Sequence, residues 1–152
     1  MYHLKTEEEV IRAALNILEQ RLEYLDPDAK MDSPNVVKPY LALELMGLEH
    51  EVFGCLWLNN RHNLIRNSIM FRGTIDCAAV YPREVVKEAL GANAAAVIIY
   101  HNHPSGDPEP STADRALTER LKTALGTVDI RLLDHIVVGG SKTVSFAEKG
   151  LI

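Results

Sequence analysis

The sequence predicts an α/β fold of the mixed α+β kind, with a central mixed β-sheet flanked by helices. An unbroken apolar run at residues 94–100 is typical of a buried strand, and a helix signal follows it at Ser111. Four more segments carry strand patterns, at residues 52–58, 64–71, 131–138 and 143–146. The chain has 152 residues, of which 47% are hydrophobic and 24% are charged, so its length suffices for one core.

Amphipathic spacing predicts a first helix from residue 6 to about residue 25. Thr6 followed by three glutamates is an N-terminal signal for this helix. Its apolar face consists of Val10, Ile11, Ala14, Leu15, Leu18 and Leu22. The run Asp26-Pro27-Asp28 breaks the helix. We therefore expect residues 1–30 to form an N-terminal helical extension.

The main domain is predicted to span residues 34–152. It opens with a helix in which Ser33 is the cap and Pro34 the first helical residue, and this helix ends near Gly47. A hairpin turn at residues 59–63 joins the first two strands, which predicts an antiparallel pair.

Two further helices are predicted between the later strands. One begins at Tyr81-Pro82 and ends around Gly91. Its buried stripe consists of Val85, Val86, Ala89 and Leu90. The other begins at Ser111, and its apolar positions are Ala116, Leu117, Leu121, Ala124 and Leu125.

The stretch HNHPSGDPEPSTAD, which follows the apolar strand, combines two imidazoles with a carboxylate. Side chains alternate along an extended chain, so His101 and His103 point the same way. The prolines and the glycine that follow cannot continue the strand, and their loop reverses the chain. Asp114, in the first turn of the next helix, can then face back toward the histidines. Two His and one Asp leave the fourth tetrahedral position of Zn²⁺ open for water, which is typical of a catalytic zinc site.

Other interpretations of these residues stay open. Ser111 and Asp114 also fit a capping box, in which the serine and the acid satisfy backbone N–H groups at the helix start. A His-x-His pair on its own could be two strand-end histidines with ordinary hydrogen bonds. Asp107 and Glu109, in the loop, are expected to be solvated.

Four other residues are expected to be structural. His135 follows Asp134 in a late strand, and we expect it to lie in the core or behind the metal ligands. His62 is expected in the hairpin turn. Cys55 and Cys77 belong to no Cys-x-x-Cys pair, so buried free thiols are expected, which suits a reducing compartment.

The sequence resembles the RadC family of bacterial proteins, within the JAMM/MPN+ (JAB) metalloprotease superfamily. The stretch HNHPSGDPEPSTAD fills every fixed position of the JAMM pattern, which reads His-x-His-Pro-x-Gly, a short spacer and Pro-Ser-x-x-Asp. The resemblance covers about residues 34 to 152, including FRGTIDCAAVYPREVVKEAL, VDIRLLDHIVVGG and VSFAEKGLI. The helix-hairpin-helix segment of full-length RadC proteins is missing, so we expect the short, single-domain form.

This resemblance implies an MPN/JAB-like domain with layers arranged as in cytidine deaminases. It also implies that the motif's two histidines and aspartate hold zinc, which activates a water molecule, while a glutamate at the start of an early core strand acts as base. Glu51 is the candidate for the base, and Glu49 is its competitor. Ser111 would donate a hydrogen bond to the oxyanion of the tetrahedral intermediate, with a purely capping role as the alternative.

The function expected from the resemblance is a zinc-dependent hydrolase that cleaves a peptide or isopeptide-like amide in an unidentified peptide or protein. The alternative is a DNA repair, recombination or mobile-element protein whose metal-binding JAB domain does not catalyse. A net charge of −5 and scattered Lys and Arg lend DNA binding no support.

The expected location is the cytoplasm. No apolar run approaches the roughly 20 residues of a membrane helix, and the acidic N-terminal region lacks the start of a signal peptide. The amphipathic first helix fits packing on its own domain or on a second copy, so the oligomeric state stays open.

Overall fold

The computed structural model describes residues 6–24, 30–31, 33–73 and 79–152. In chain order the described residues form α1 (Glu7–Tyr24), α2 (Pro34–Glu44), β1 (Glu51–Leu58), β2 (Leu64–Gly73), α3 (Pro82–Gly91), β3 (Ala96–Asn102), α4 (Thr112–Thr127), β4 (Arg131–Gly139) and β5 (Lys142–Ser145). These strands form one sheet in the order β2-β1-β3-β4-β5. β3 and β4 are parallel, and the other neighbouring pairs are antiparallel. The predicted mixed sheet flanked by helices is therefore confirmed.

The two central strands are buried on both faces of the sheet. Every residue of β3 is buried, and so is every residue of β1 except Glu51. One face packs against α2 through residues that include Tyr40, Leu41, Leu45, Leu56, Ile98 and Ile136. The other face packs against α3 and α4 through residues that include Phe53, Val85, Ala89, Ile99, Leu121 and Leu125. Because helices cover both faces, the strands can be apolar throughout rather than alternating.

α4 is the crossover that two parallel neighbours in a sheet require. It connects β3 to β4, so the C-terminal end of β3 and the N-terminus of α4 lie at the same edge of the sheet. In α/β sheets this edge, beyond the carboxyl ends of the parallel strands, is where ligands bind.

The first helix begins as predicted. Thr6 and Glu9 exchange capping hydrogen bonds, at 2.8 Å from the Thr6 N–H and 3.3 Å from the Glu9 N–H. On the predicted apolar face, however, Val10 is 54% exposed. The break at residues 26–28 and the side chain of Leu22 lie outside the described residues. Among the helices that the structure describes, none has the length and apolar composition needed to cross a membrane.

One residue of the predicted buried stripe of α3 and one predicted apolar position of α4 are exposed. Leu90 is 57% exposed, because it follows the buried Val85 by five residues and so lies about 140° away around the helix. Ala116 is exposed because it precedes the buried Thr118 by two residues and lies about 200° from it. The inner face of α4 therefore includes the polar residue Thr118 and does not include Ala116.

Gly54 allows the central strands to approach each other closely. It pairs with Tyr100 across β1 and β3, and a Cβ atom on Gly54 would lie only 2.2 Å from Cζ of the Tyr100 ring and 2.3 Å from its hydroxyl oxygen. That ring is fully buried, and its hydroxyl donates to Asn67 Oδ1 at 2.5 Å, so it has no free space to move into.

We expect Gly54→Ala to destabilise the protein by about 1–3 kcal/mol, because the added methyl group overpacks the core against Tyr100. Urea unfolding measures the change. Gly126→Ala is the matched control, since Gly126 is helical with no atom within 4 Å of an added Cβ, and we expect it to stabilise by about 0.5–1 kcal/mol. Equal effects of the two substitutions would contradict the packing argument.

Candidate metal centre

Three side chains with metal-binding atoms meet at the C-terminal end of β3. His101 belongs to β3, His103 directly follows it, and Asp114 lies in the first turn of α4. The Nε2 atoms of the histidines are 2.9 Å apart, and they lie 3.2 Å and 3.3 Å from the two carboxylate oxygens of Asp114. Within the described ranges, this is the one group of at least three such side chains whose ligand atoms all lie within 4.8 Å of one another.

Backbone hydrogen bonds hold the loop between the histidines and the helix. The His103 N–H donates to the Val138 carbonyl at 2.7 Å, which extends the pairing of β3 with β4. The Gly106 N–H donates to the His103 carbonyl at 3.0 Å in a turn where Gly106 has a φ of +88°. Glycine adopts this φ without the steric cost of a side chain, so the chain can reverse here.

Ser111 and Asp114 form the predicted capping box at the start of α4. Ser111 Oγ accepts from the Asp114 N–H at 3.1 Å, and the Ser111 N–H donates to Asp114 Oδ2 at 2.7 Å. The same carboxylate faces the histidines, so one side chain serves both the helix cap and the cluster. Its negative charge is also favoured by the helix N-terminus.

Charges inside the cluster oppose the effect of burial. Burial raises the pKa of Asp114, but hydrogen bonds with His101, His103 and the Ser111 N–H outweigh burial and hold that pKa well below its ordinary value. The hydrogen bond with Asp114 raises the pKa of His103 above its ordinary value, against the effect of burial. Asp114 is therefore an anion at neutral pH, and His103 holds a proton more tightly than an exposed histidine does.

Both imidazoles turn Nε2 toward Asp114 because Nδ1 is bonded elsewhere. His103 Nδ1 lies 2.8 Å from the carbonyl oxygen of Asp107, which can only accept, so Nδ1 carries the hydrogen. His101 Nδ1 lies 2.8 Å from Nε2 of His135, which is fully buried.

The donor set fits a metal ion. Imidazole nitrogen and carboxylate oxygen are ordinary zinc ligands, and at bond lengths of about 2.0–2.1 Å neighbouring atoms of a tetrahedral site lie about 3.3–3.4 Å apart. The two Nε2 atoms are 2.9 Å apart, and each lies 3.2 or 3.3 Å from a different oxygen of the Asp114 carboxylate, so the three side chains are close enough to bind one ion. Because His103 carries its hydrogen on Nδ1, its Nε2 lone pair can face the Asp114 carboxylate only with a proton or a metal ion between them. His101, His103 and Asp114 would hold the metal and leave one position open.

Glu51 lies beside this cluster. Phe53 pairs with His101 in the antiparallel β1/β3 ladder, so extending the register by two residues brings Glu51 opposite His103 on the same face of the sheet. The Glu51 side chain is half-buried, and burial raises its pKa. The charges of His101 and His103 partly offset that increase.

Asn102 anchors the backbone on both sides of Glu51. Its Oδ1 accepts from the Val52 N–H at 2.8 Å, and its Nδ2 donates to the His50 carbonyl at 3.0 Å. Glu49, the other candidate for the base, precedes the strand and is exposed. The structure therefore places Glu51 beside the cluster, whereas Glu49 lines the neighbouring cleft at His103.

The remaining polar residues of the motif region lie in solvated positions, as expected. Asp107 and Glu109 are exposed, and the Glu109 carboxylate lies 2.7 Å from Lys149 Nζ.

His62 lies in the hairpin turn with a φ of +66°. His135 lies in the core next to His101, where burial keeps its pKa well below the ordinary value.

The cysteine prediction can be checked at one of two positions. Cys55 is buried in β1, and among the described residues it is a free thiol. Burial raises its pKa well above the ordinary value, so it is protonated and unreactive at neutral pH. Cys77 lies outside the described residues.

The sequence analysis did not predict Thr118, which contacts residues next to the metal-binding cluster. Its Oγ1 lies 2.7 Å from the carbonyl oxygen of Asp114 and 2.7 Å from Nδ1 of His135. A signal for it was present, because Thr118 follows Asp114 by four residues and shares the inner helical face of Leu121 and Leu125. The backbone contact between Asp107 and His103 has no such signal in the sequence.

Gly139, at the end of β4, supports the loop from behind. A Cβ atom on Gly139 would lie 2.5 Å from the backbone nitrogen of Pro108 and 2.7 Å from the carbonyl carbon of Asp107. The loop therefore rests directly on the backbone of β4, and it is the Asp107 carbonyl that holds His103.

Known proteins resemble this chain over most of its length. It matches the family described as RadC-like JAB domain over residues 31–151. A UPF0758 protein of Vibrio cholerae is 58% identical over 95% of this chain and 89% of the relative. UPF0758 proteins of Pseudoalteromonas translucida and Methylibium petroleiphilum are 53% and 58% identical over 93% and 80% of this chain. The chain spans 64% and 54% of the lengths of those two relatives.

We expect about one zinc ion per chain, bound with an affinity that falls as the pH is lowered, because the ligands must be deprotonated. Asp114 stays ionised, whereas the pKa of His103 is raised above 6.5, so the loss of affinity begins at a higher pH than an ordinary histidine would give. A chelator-competition titration between about pH 8 and about pH 6 measures it. The double variant His101→Ala, His103→Ala should bind no zinc, and retention of zinc by that variant would contradict this assignment.

We expect Gly139→Ala to weaken zinc binding about tenfold or more, because the added methyl group displaces the carbonyl that orients His103. The same titration measures the effect. Gly126→Ala, in open space on α4, is the control and should leave the zinc affinity unchanged. Equal affinities in all three proteins would show that the loop tolerates displacement.

Proposed function

This chain belongs to the RadC-like JAB domain family, and from that premise we propose that it is a zinc-dependent hydrolase of the JAMM type that cleaves a peptide or isopeptide-like amide. The observation that carries the proposal is the half-buried Glu51 carboxylate beside the cluster of His101, His103 and Asp114. Several relatives are longer than this chain, so the proposal concerns the activity of the domain.

The proposed metal ligands are His101, His103 and Asp114. A set of two imidazoles and one carboxylate with one open position is the composition of catalytic rather than structural zinc sites. Bound zinc supplies a Lewis acid that polarises a carbonyl oxygen and makes water a stronger nucleophile. The low pKa of Asp114 keeps that ligand anionic, and the Nδ1 contacts of both histidines keep Nε2 directed at the same place.

Glu51 is the proposed general base and acid. Its carboxylate accepts a proton from the attacking water and returns that proton to the leaving amine. Burial raises its pKa, which makes the carboxylate a stronger base than an exposed glutamate. Because the deprotonated form is the active one, activity should decline as the pH falls through this raised pKa.

Ser111 is the proposed hydrogen-bond donor to the oxyanion. In the capping box Ser111 Oγ accepts a hydrogen bond through a lone pair, so the cap does not use the hydroxyl hydrogen. The capping and donor roles are therefore compatible. Removing one such donor typically costs about 2.7–4 kcal/mol of transition-state stabilisation.

A cleft beside His103 is suited to hold the polypeptide on one side of the scissile bond. It has a volume of about 540 Å³ and is lined in part by Leu45, Leu48, Pro104 and Val138. Mixed apolar walls with a few polar groups are typical of sites that bind peptides or small molecules. The DNA-accessory alternative has the net charge of −5 against it.

We expect Glu51→Gln to keep its zinc and to lose at least about 100-fold in amide hydrolysis, because an amide side chain cannot take up the proton. The assay uses zinc-loaded protein and a pooled library of quenched fluorescent peptides that includes lysine-isopeptide members. Glu119→Gln is the matched control, because Glu119 is an exposed glutamate of α4 that does not line the cleft, and it should cleave at the wild-type rate. A chelator should stop cleavage in both active proteins.

Two outcomes would contradict the proposal. Cleavage by Glu51→Gln at the wild-type rate would remove the base from the mechanism. Zinc-loaded wild-type protein that cleaves no member of the library would argue against a peptide or isopeptide substrate, and a salt-dependent shift of a labelled duplex would then favour the DNA-accessory alternative.

A further inference from the structure

We propose that Thr118 and His135 are positioning residues of the metal centre, because together they hold the Nε2 lone pair of His101 toward the metal. The inference rests on the proposed function in that it assumes the same three ligands. It adds a hydrogen-bonded chain that begins at Asp114, passes through Thr118 and His135, and ends at His101.

The direction of this chain is set at Thr118. Its Oγ1 lies 2.7 Å from the carbonyl oxygen of Asp114, which can only accept, so the hydroxyl hydrogen is committed to that bond. Thr118 Oγ1 also lies 2.7 Å from His135 Nδ1. Since the hydroxyl has no second hydrogen, it accepts here, and His135 Nδ1 must carry a hydrogen.

His135 transmits this assignment to His101. A neutral imidazole with hydrogen on Nδ1 has a lone pair on Nε2, and His135 Nε2 lies 2.8 Å from His101 Nδ1. His101 therefore donates from Nδ1. In the neutral form that can bind a metal, its own Nε2 therefore keeps a lone pair on the side that faces His103 and Asp114, at 2.9 and 3.2 Å.

Packing keeps the His135 ring in the orientation that this chain needs. The ring is fully buried and stacks on Phe146 with centroids 4.5 Å apart and an interplanar angle of 28°. Phe53 contacts it in an edge arrangement at 6.2 Å. Because the ring is fully buried between two aromatic neighbours, its two nitrogens have Thr118 and His101 as partners.

The same contacts connect the elements that carry the ligands. Thr118 lies on α4 one turn after Asp114, His135 lies on β4, and His101 lies on β3. Loss of the Thr118 hydroxyl would allow His135 to place its hydrogen on Nε2. His101 would then accept at Nδ1 and carry its hydrogen on Nε2, where that hydrogen would occupy the position of the metal.

The test compares Thr118→Val with Thr118→Ser in the full chain. Valine keeps the shape and removes the hydroxyl, whereas serine keeps the hydroxyl. Zinc alone is the probe, and a chelator-competition titration measures the dissociation constant. We expect Thr118→Val to weaken zinc binding about 10- to 100-fold, the range typical for partners that orient metal ligands. Thr118→Ser should stay near the wild-type value.

Leu125→Val controls for a loss of core packing. Leu125 is buried on the same face of α4 as Thr118, and its apolar side chain makes no hydrogen bond with His135 or His101. It should lower the melting temperature and leave the zinc affinity unchanged. His135→Phe provides a second route if Thr118→Val does not fold, since phenylalanine keeps the ring and removes the acceptor for His101. It should weaken zinc binding to a similar extent.

A spectroscopic readout tests the tautomer directly. Long-range ¹H–¹⁵N spectra of histidine-labelled, zinc-loaded wild-type protein should show His101 and His135 with hydrogen on Nδ1. Wild-type zinc affinity in Thr118→Val, or equal weakening in the valine and serine variants, would overturn this inference and leave the metal centre intact. Wild-type protein that binds no zinc would overturn the metal centre and the inference together.

Discussion

The buried imidazole of His101 is the constraint on which the rest of this centre depends. Its side chain lies at the end of a fully buried strand and is 2% exposed, so each ring nitrogen needs a partner within the protein. Nδ1 has His135, while Nε2 faces His103 and Asp114. A buried polar network is costly unless every member is satisfied. The elements that carry these partners must therefore meet in one register.

The sheet order meets this requirement. β3 has an antiparallel neighbour, β1, on one side and a parallel neighbour, β4, on the other. β1 carries Glu51 and β4 carries His135, so these two side chains flank His101 on one face of the sheet, and α4 brings Asp114 over that face. Groups on strands and helices are held more precisely than groups on loops. His103, the candidate ligand that follows its strand, is held in turn by the backbone of β4.

The sequence was sufficient for the parts of the site that local rules govern. Strand alternation placed His101 and His103 on one side, and the helix-start signal placed Asp114 opposite them. The choice between Glu51 and Glu49 depended instead on the register of β1 against β3. His135 was expected in the core or behind the ligands, but its contact with His101 depends on the β3/β4 ladder, which contains an irregularity between Val97 and Ile98 that no local pattern indicates. Thr118 was not predicted at all.

The residue between the two histidines of the motif makes contacts on the opposite face of β3. Asn102 points away from the metal cluster, and its amide bonds the peptide groups on both sides of Glu51. Val52 and Asn102 are 50 residues apart, so this contact forms only when β1 and β3 have paired. Three consecutive residues thus serve two purposes: the outer pair turn nitrogens toward Asp114, and the middle one anchors the strand that carries Glu51, the proposed base. Alternation along one strand is therefore enough to link the position of the proposed metal ligands to the position of the Glu51 carboxylate beside them.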